Sequence, residues 1–282
     1  MRRSGIVLHT RDLGRHDHVC WSYDDRADVG LRVAEFLLDG LSRGQRVLYV
    51  GSGDAETLTD SVRGLDGIEA ALASGAAQVA PLEPRYADGA VIDPQRQVEA
   101  YAEATEQAVA AGYRGLRVAS EATPLVRSPA QLTAFLHYEH LVDRYMADHP
   151  FSALCAYDRT RLSEQALEQL ASVHPSTNLP GVGFRLHASA RPGHSAELSG
   201  EIDMFNRDVL VQVLERVRPQ PRDGRVVLDG AGLTFIDHRG LMSLDEYARR
   251  RATTLVLRTA FPGAARIAGL LDLPGVRVEP VA

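Results

Sequence analysis

Residues 226–244 read VVLDGAGLTFIDHRGLMSL. Val226, Val227 and Leu228 form a short apolar run that stops at Asp229 and Gly230, the pattern of a buried strand closed by turn residues. A second run, Leu233 to Ile236, leads into Asp237-His238-Arg239-Gly240. Leu241, Leu244, Tyr247 and Ala248 then recur at helical spacing. A strand, a polar loop and a helix start in that order put the loop side chains and free backbone N–H groups at one exposed edge.

Outward from this stretch, residues 184–190 and 195–199 read as strands, the second opening on Gly200-Glu201-Ile202-Asp203. Residues 205–217 read as an amphipathic helix, and 219–224 as a Pro/Gly-rich loop. Beyond it come a strand at 254–258, a helix at 262–271 and a short strand at 276–278. Taken together, Asp229, Phe235, Ile236, Asp237, Gly240 and Leu241 resemble the STAS domain, the fold of bacterial anti-sigma factor antagonists, from about Phe184 onward. The family pattern is Asp-Ser-Ser-Gly-Leu at the helix start, and its second serine is phosphorylated to control partner binding. Here His238 and Arg239 hold the serine positions, so the resemblance implies partner binding without that switch. Asp237, His238 and Arg239 are the expected contact residues, and an anti-sigma factor or related signalling protein the expected partner. Thr234 and Ser243 are expected in the core.

Strands and helices alternate through the first half of the chain as well. Strands are expected at 18–23, 46–50, 77–81, 116–120 and 151–157, and helices at 29–41, 55–62, 67–73, 97–111, 129–148 and 163–172, with a loop over 86–94. This alternation predicts a layered α/β domain with a mainly parallel sheet, preceded by an N-terminal arm. Residues 176–183, STNLPGVG, are rich in turn formers and read as a linker. The expected division is 1–176, a linker at 177–183, and 184–282.

Composition narrows the function. The chain has 282 residues, a net charge of −6 and an ordinary 45% apolar content. It offers no general attraction for nucleic acid or anionic membrane, and no apolar run reaches the ~18 residues of a membrane span. The cytoplasm is the expected compartment, and Cys20 and Cys155 are expected as buried thiols. No lysine occurs anywhere in the sequence. A phosphate-loop lysine, a Schiff-base lysine and a lysine general base are therefore excluded.

Residues 18–54 have the rhythm of a RecA- or KaiC-like ATPase start. However, Asp24-Asp25-Arg26-Ala27-Asp28 stands where such enzymes carry a Gly-rich phosphate loop. Three carboxylates and no glycines make that loop hostile to a triphosphate. The fold class expected is thus α/β throughout: a RecA/KaiC-like layered domain without a P-loop, then a STAS-like α/β domain. Several motifs in the first domain also resemble the MEDS domain, a proposed sensory module of bacterial regulators of one-carbon and halomethane metabolism. These are His18-x-Cys20-x-x-Tyr23, Gly40-Leu41-x-x-Gly44, Tyr113-Arg114-Gly115-Leu116-Arg117 with Glu121, Tyr138-Glu139, Cys155-x-Tyr157-Asp158 and His174-Pro175. The family's Glu-Met-Ser-Trp departs here to Glu121-Ala122-Thr123-Pro124. The resemblance implies a small-molecule ligand.

Two groupings follow. His16, His18 and Cys20 read either as part of a metal cluster, with a further ligand such as Cys155 or His174, or as core residues. The set is short of the three or four ligands zinc uses, so no metal is expected. Glu121, Tyr138, Glu139, Tyr157 and Asp158 with Arg117 read either as a polar ligand pocket or as a buried ion pair of Arg117 with Glu121 or Glu139. His18, Cys20 and Tyr23 complete the expected ligand set. No cofactor and no catalytic set is expected; the two resemblances imply a non-catalytic signalling regulator, with a homodimer as one assembly open to it. The alternatives are a hydrolase or transferase working at the sheet edge near Glu121 and Asp158, and a scaffold that has lost sensing.

Overall fold

The computed structural model of the chain describes residues 4–82 and 89–281. Of the loop expected at 86–94, residues 86–88 lie outside the described residues. The first unit holds β1 (Gly5–Ile6), β2 (His18–Tyr23), α1 (Arg26–Ser42), β3 (Arg46–Gly51), α2 (Ala55–Arg63), α3 (Ile68–Ser74) and β4 (Ala77–Pro81). It continues through α4 (Pro94–Ala110), β5 (Leu116–Glu121), α5 (Pro129–Asp148), β6 (Phe151–Asp158), α6 (Glu164–Ser172) and β7 (Ser176–Thr177). Its strands form one parallel sheet in the order β1-β7-β2-β6-β5-β3-β4.

Two expectations change here. Gly5–Ile6 is not a free arm but an edge strand on Ser176–Thr177. The linker's first residues are themselves a buried strand between β1 and β2, and Asn178 is tied to Ser22 through both its side-chain oxygen and nitrogen. Two-residue strands carry no readable alternation, and the backbone pairing that makes them comes from the distant β2.

The second unit holds β8 (Phe184–His187), β9 (Ala196–Ile202), α7 (Arg207–Val217), β10 (Arg225–Gly230), β11 (Leu233–Ile236), α8 (His238–Arg250), β12 (Thr254–Thr259), α9 (Pro262–Leu271) and β13 (Val276–Glu279). The sheet order is β11-β9-β10-β12-β13, with β8 antiparallel to β9. Thus β9 runs through Gly200, Glu201 and Ile202 rather than ending before them. At Gly200 φ is +93°, and an added Cβ would lie 2.3 Å from the Gly183 carbonyl oxygen, so only glycine lets β8 cross so closely.

Helix α5 positions everything that follows. Ser128 caps it, with Gln131 closing a reciprocal capping box and Pro129 in the first turn. Its buried residues, Leu132, Phe135, Leu136, Tyr138, Glu139, His140, Val142, Asp143 and Met146 among them, go most of the way round the helix. A helix buried on several sides must be sandwiched. Here it lies between the first sheet and α7 of the second unit, in a hydrophobic core continuous through both.

Candidate functional site

Side chains alternate across a strand, and that period divides the expected ligand residues between two faces of the first sheet. On β5, Arg117 and Glu121 share one face with Ala119. In register with them, Ser120 sits beside Cys155 and Glu121 beside Ala156. Cys155 and Tyr157 therefore point to the opposite face from Glu121. The single pocket expected from sequence is two sites.

The first face is covered by α1 and α2. Arg117 is fully buried there, with its guanidinium over the Phe36 ring and 3.0 Å from Asp39. It also donates to Leu13 O at 3.1 Å and to Gln45 at 3.2 Å. Its ion-pair partner is Asp39, not Glu121 or Glu139 as expected. Burial lowers its pKa to about 10, against the opposing pull of Asp39. Gly40 accommodates it: a Cβ there would come within 2.6 Å of Arg117 Cδ. Four strand spacings along, Glu121 takes a 2.6 Å bond from Arg26 Nη1 and a bond from the Tyr49 hydroxyl. The same Arg26 reaches the Tyr23 hydroxyl at 3.4 Å. Burial and the Glu121 charge raise the Tyr49 pKa, and burial raises that of Tyr23. Both oxygens of Glu121 are thus engaged beside a cleft of about 270 Å³. Asp158 turns to its own loop, accepting from Thr160 N at 2.9 Å.

The second face lies under α5 and α6, where four fully buried side chains converge. His18 comes from β2, Glu139 from α5, Cys155 from β6 and His174 from the turn after α6. His18 Nε2 is 3.1 Å from Glu139 Oε2 and 3.6 Å from Cys155 Sγ, and His174 Nε2 is 3.6 Å from Glu139 Oε1. The two imidazole centroids are 4.1 Å apart. Outer partners fix each ring and the carboxylate: Asp143 Oδ1 at 2.9 Å from His18 Nδ1, Leu170 O at 2.7 Å from His174 Nδ1, and the Tyr157 hydroxyl donating to Glu139 Oε1 at 2.8 Å. Burial raises the pKa values of Glu139, Cys155 and Tyr157. His16 and Cys20 do not join this group. His16 Nδ1 faces Met146 O at 2.8 Å, and the Cys20 thiol bonds Thr177.

Beside this cluster lies a small cavity of about 30 Å³. Tyr138, Cys155, Ser120, Tyr101 and Phe135 are among the residues that line it. Sequence reasoning named His174 and Cys155 as motif residues of the MEDS resemblance and as further ligands to His16, His18 and Cys20, but did not join either to Glu139. Strand parity could have separated Glu121 from Tyr157; the meeting of Glu139 with His174 depends on how α5 docks.

From α5 the arrangement reaches the second unit. Asp143 Oδ2 accepts the Ala188 N–H at 2.9 Å, one residue beyond β8, and His137 Nδ1 lies 2.8 Å from Val217 O at the end of α7. Gln169 of α6 donates to Gln212 of α7 at 2.9 Å and accepts from Arg216. At the far edge, Asp237 caps α8 by accepting from Gly240 N at 2.6 Å. His238 and Arg239 are exposed there, and Phe205, Phe235 and Met242 are exposed large apolar residues of the same unit. Thr234, expected in the core, is exposed, with its hydroxyl on Gly200 O; Ser243 is half-buried. Among the described residues no helix is long and apolar enough to cross a membrane.

No curated protein matches the chain. Among solved structures, the flagellar accessory protein FlaH from Methanocaldococcus jannaschii is similar at 14% identity over 61% of this chain and 70% of that chain, with a TM-score of 0.40. The family model described as MEDS, "MEthanogen/methylotroph, DcmR Sensory domain", matches residues 17–175. That span is more than half of the chain and runs from just before His18 to just past His174, so the chain belongs to the MEDS family of sensory domains.

Proposed function

We propose that the protein is a non-catalytic signalling regulator in which the first unit takes up a small molecule and the second binds a protein partner. The observation that carries this reading is the double attachment of α5. Tyr138 lines the cavity and Glu139 enters the buried cluster, while His137 and Asp143 bond the second unit. A ligand that moves α5 therefore acts on both units, provided it binds the two arrangements with different affinity. Tyr101, Phe135 and Tyr138 give the cavity aromatic walls, with Gln97, Ser120 and Cys155 among its polar groups. Its volume fits a molecule of only a few heavy atoms, since a water needs roughly 10–15 Å³ on the same measure. A small, largely apolar compound is the ligand class proposed.

Glu121, the acid an enzyme would use at this sheet edge, is held by Arg26 and Tyr49. That engagement favours binding over turnover. For the second unit, the parallel β9, β10 and β12 and the Asp237-capped α8 support the STAS-like reading, with an anti-sigma factor or related signalling protein as partner. The exposed Arg239 at that edge suits a carboxylate or phosphate on such a partner.

Native and denaturing mass spectra of freshly purified protein test the sensory half. An organic mass that leaves on denaturation is expected. A bare chain that also shows no change in thermal midpoint with small halogenated or oxygenated one- and two-carbon compounds contradicts it. Arg239→Glu should abolish partner capture while leaving the thermal midpoint unchanged, and retained capture would remove this edge as the interface.

A further inference from the structure

We propose that His18, Glu139, Cys155 and His174 form a four-coordinate site for a divalent first-row transition metal, with zinc the ion its donors suit. The site stands whether or not the neighbouring cavity takes a ligand. It also departs from the sequence expectation of no metal, which rested on His16, His18 and Cys20 and their shortage of ligands.

Geometry is the first support. The four donor atoms lie within 4.8 Å of one another. Metal–nitrogen and metal–oxygen distances near ~2.05 Å with metal–sulfur near ~2.3 Å give tetrahedral edges of about 3.3 Å for N···O and about 3.6 Å for N···S. The measured separations are 3.1 Å for His18 Nε2 to Glu139 Oε2 and 3.6 Å for His18 Nε2 to Cys155 Sγ. These two separations match tetrahedral edges, and His174 Nε2 completes the group within 4.8 Å of the other donors.

The surroundings are the second. A metal-bound histidine usually gives its other ring nitrogen to a carboxylate or carbonyl. His18 has Asp143 and His174 has Leu170 O in those positions, and both Nε2 atoms face Glu139 inside the cluster. Glu139 divides its roles in the same way. Oε1 accepts from Tyr157, whereas the buried Oε2 faces the cluster, 3.1 Å from His18 Nε2, and the Cys155 thiol also bonds the carboxylate. A fully buried carboxylate among imidazole and thiol groups is costly to keep charged unless something positive is seated with it.

Charge is the third. With neutral imidazoles, a divalent ion cancels the Glu139 carboxylate and a Cys155 thiolate. Asp143 is answered separately by the His18 ring N–H and the Ala188 N–H. Thiolate, two imidazoles and one carboxylate suit zinc, which accepts all three donor types, better than an all-oxygen ion such as magnesium. The site would pin four segments, β2, α5, β6 and the turn after α6, around the helix that reaches the second unit.

The full-length protein, stripped with a chelator and titrated with Co²⁺ alone, provides the test. One ion per chain is expected, with the intense d–d bands of tetrahedral cobalt and a thiolate-to-metal charge-transfer band. Cys155→Ser should remove the charge-transfer band, and Cys20→Ser should keep it. His174→Gln should weaken uptake by more than ~10-fold, the lower end of what even outer partners contribute. If stripping unfolds the chain, recovery of its circular dichroism on adding Zn²⁺ supports the site. A folded wild-type chain that takes up no cobalt overturns it, as does an octahedral spectrum or a charge-transfer band that survives Cys155→Ser.

Discussion

The two faces of the first sheet both bury acidic side chains, and they balance them differently. Under α1, two of these carboxylates meet arginines: Asp39 meets Arg117, and Glu121 meets Arg26. Under α5, Glu139 and Asp143 meet histidines, with a thiol among them. Arginine stays charged in any folded environment, so the first arrangement is a fixed tie. Imidazole and thiol can change charge and coordinate ions, so the second can respond. The sheet thus has one face tied by arginines and one lined by groups that can change charge, the face to which the proposed function assigns binding.

The largest effect should come from breaking the fixed face. Arg117→Ala leaves Asp39 without its partner and empties the space over Phe36 that Gly40 keeps clear. A loss of about 3–5 kcal/mol in urea unfolding is expected for removal of one member of a buried pair. A loss below ~1 kcal/mol, the range of an exposed pair, would show that Arg117 is solvated in solution.

Tyr157→Phe probes the other face more gently. It removes the hydroxyl that bonds Glu139 Oε1, and about 1–3 kcal/mol should be lost, the range for a buried acceptor left unpaired. The same variant should bind cobalt more weakly than wild type without losing the thiolate band, since Tyr157 orients a ligand and is not one.

The smallest effect per step is a pH slope. His140, buried in α5 with both ring nitrogens unbonded, has its pKa lowered from 6.5 to about 3, by burial first and then by Arg144, His137 and His187. The folded state therefore refuses a proton that the unfolded chain accepts between those values. Above pH 6.5 there is no penalty, and stability falls as the pH drops through the window, by up to ~1.4 kcal/mol per unit. His140→Leu should flatten that slope in denaturant titrations; an unchanged slope would place the acid sensitivity elsewhere.

Much of the fold could be read from the chain. Residues 18–23, 77–81, 129–148, 233–236 and 262–271 fall where apolar runs, caps and turn residues place them. The short strands β1 and β7 could not, because their hydrogen bonds come from each other and from β2 rather than from any local pattern. The sequence named most residues of the candidate cluster but not their arrangement. Tyr23 and Glu121 were grouped with Tyr157 and Glu139 although strand parity and register put them across the sheet. His174, which follows a helix and precedes Pro175, has no periodic signal at all. Only the packing of α5 and α6 against β2 and β6 brings it to Glu139.

The central claim is that α5 joins the buried cluster to the second unit, and hydrogen exchange on Glu139→Gln tests it most directly. The substitution keeps the shape of the side chain and removes its charge from the cluster, far in sequence from β8 and α7. The account predicts faster exchange in α5 and, with it, in residues 184–188 and 207–217, through Asp143 to Ala188 and His137 to Val217. Faster exchange confined to residues 17–175, with the second unit unchanged, would contradict it.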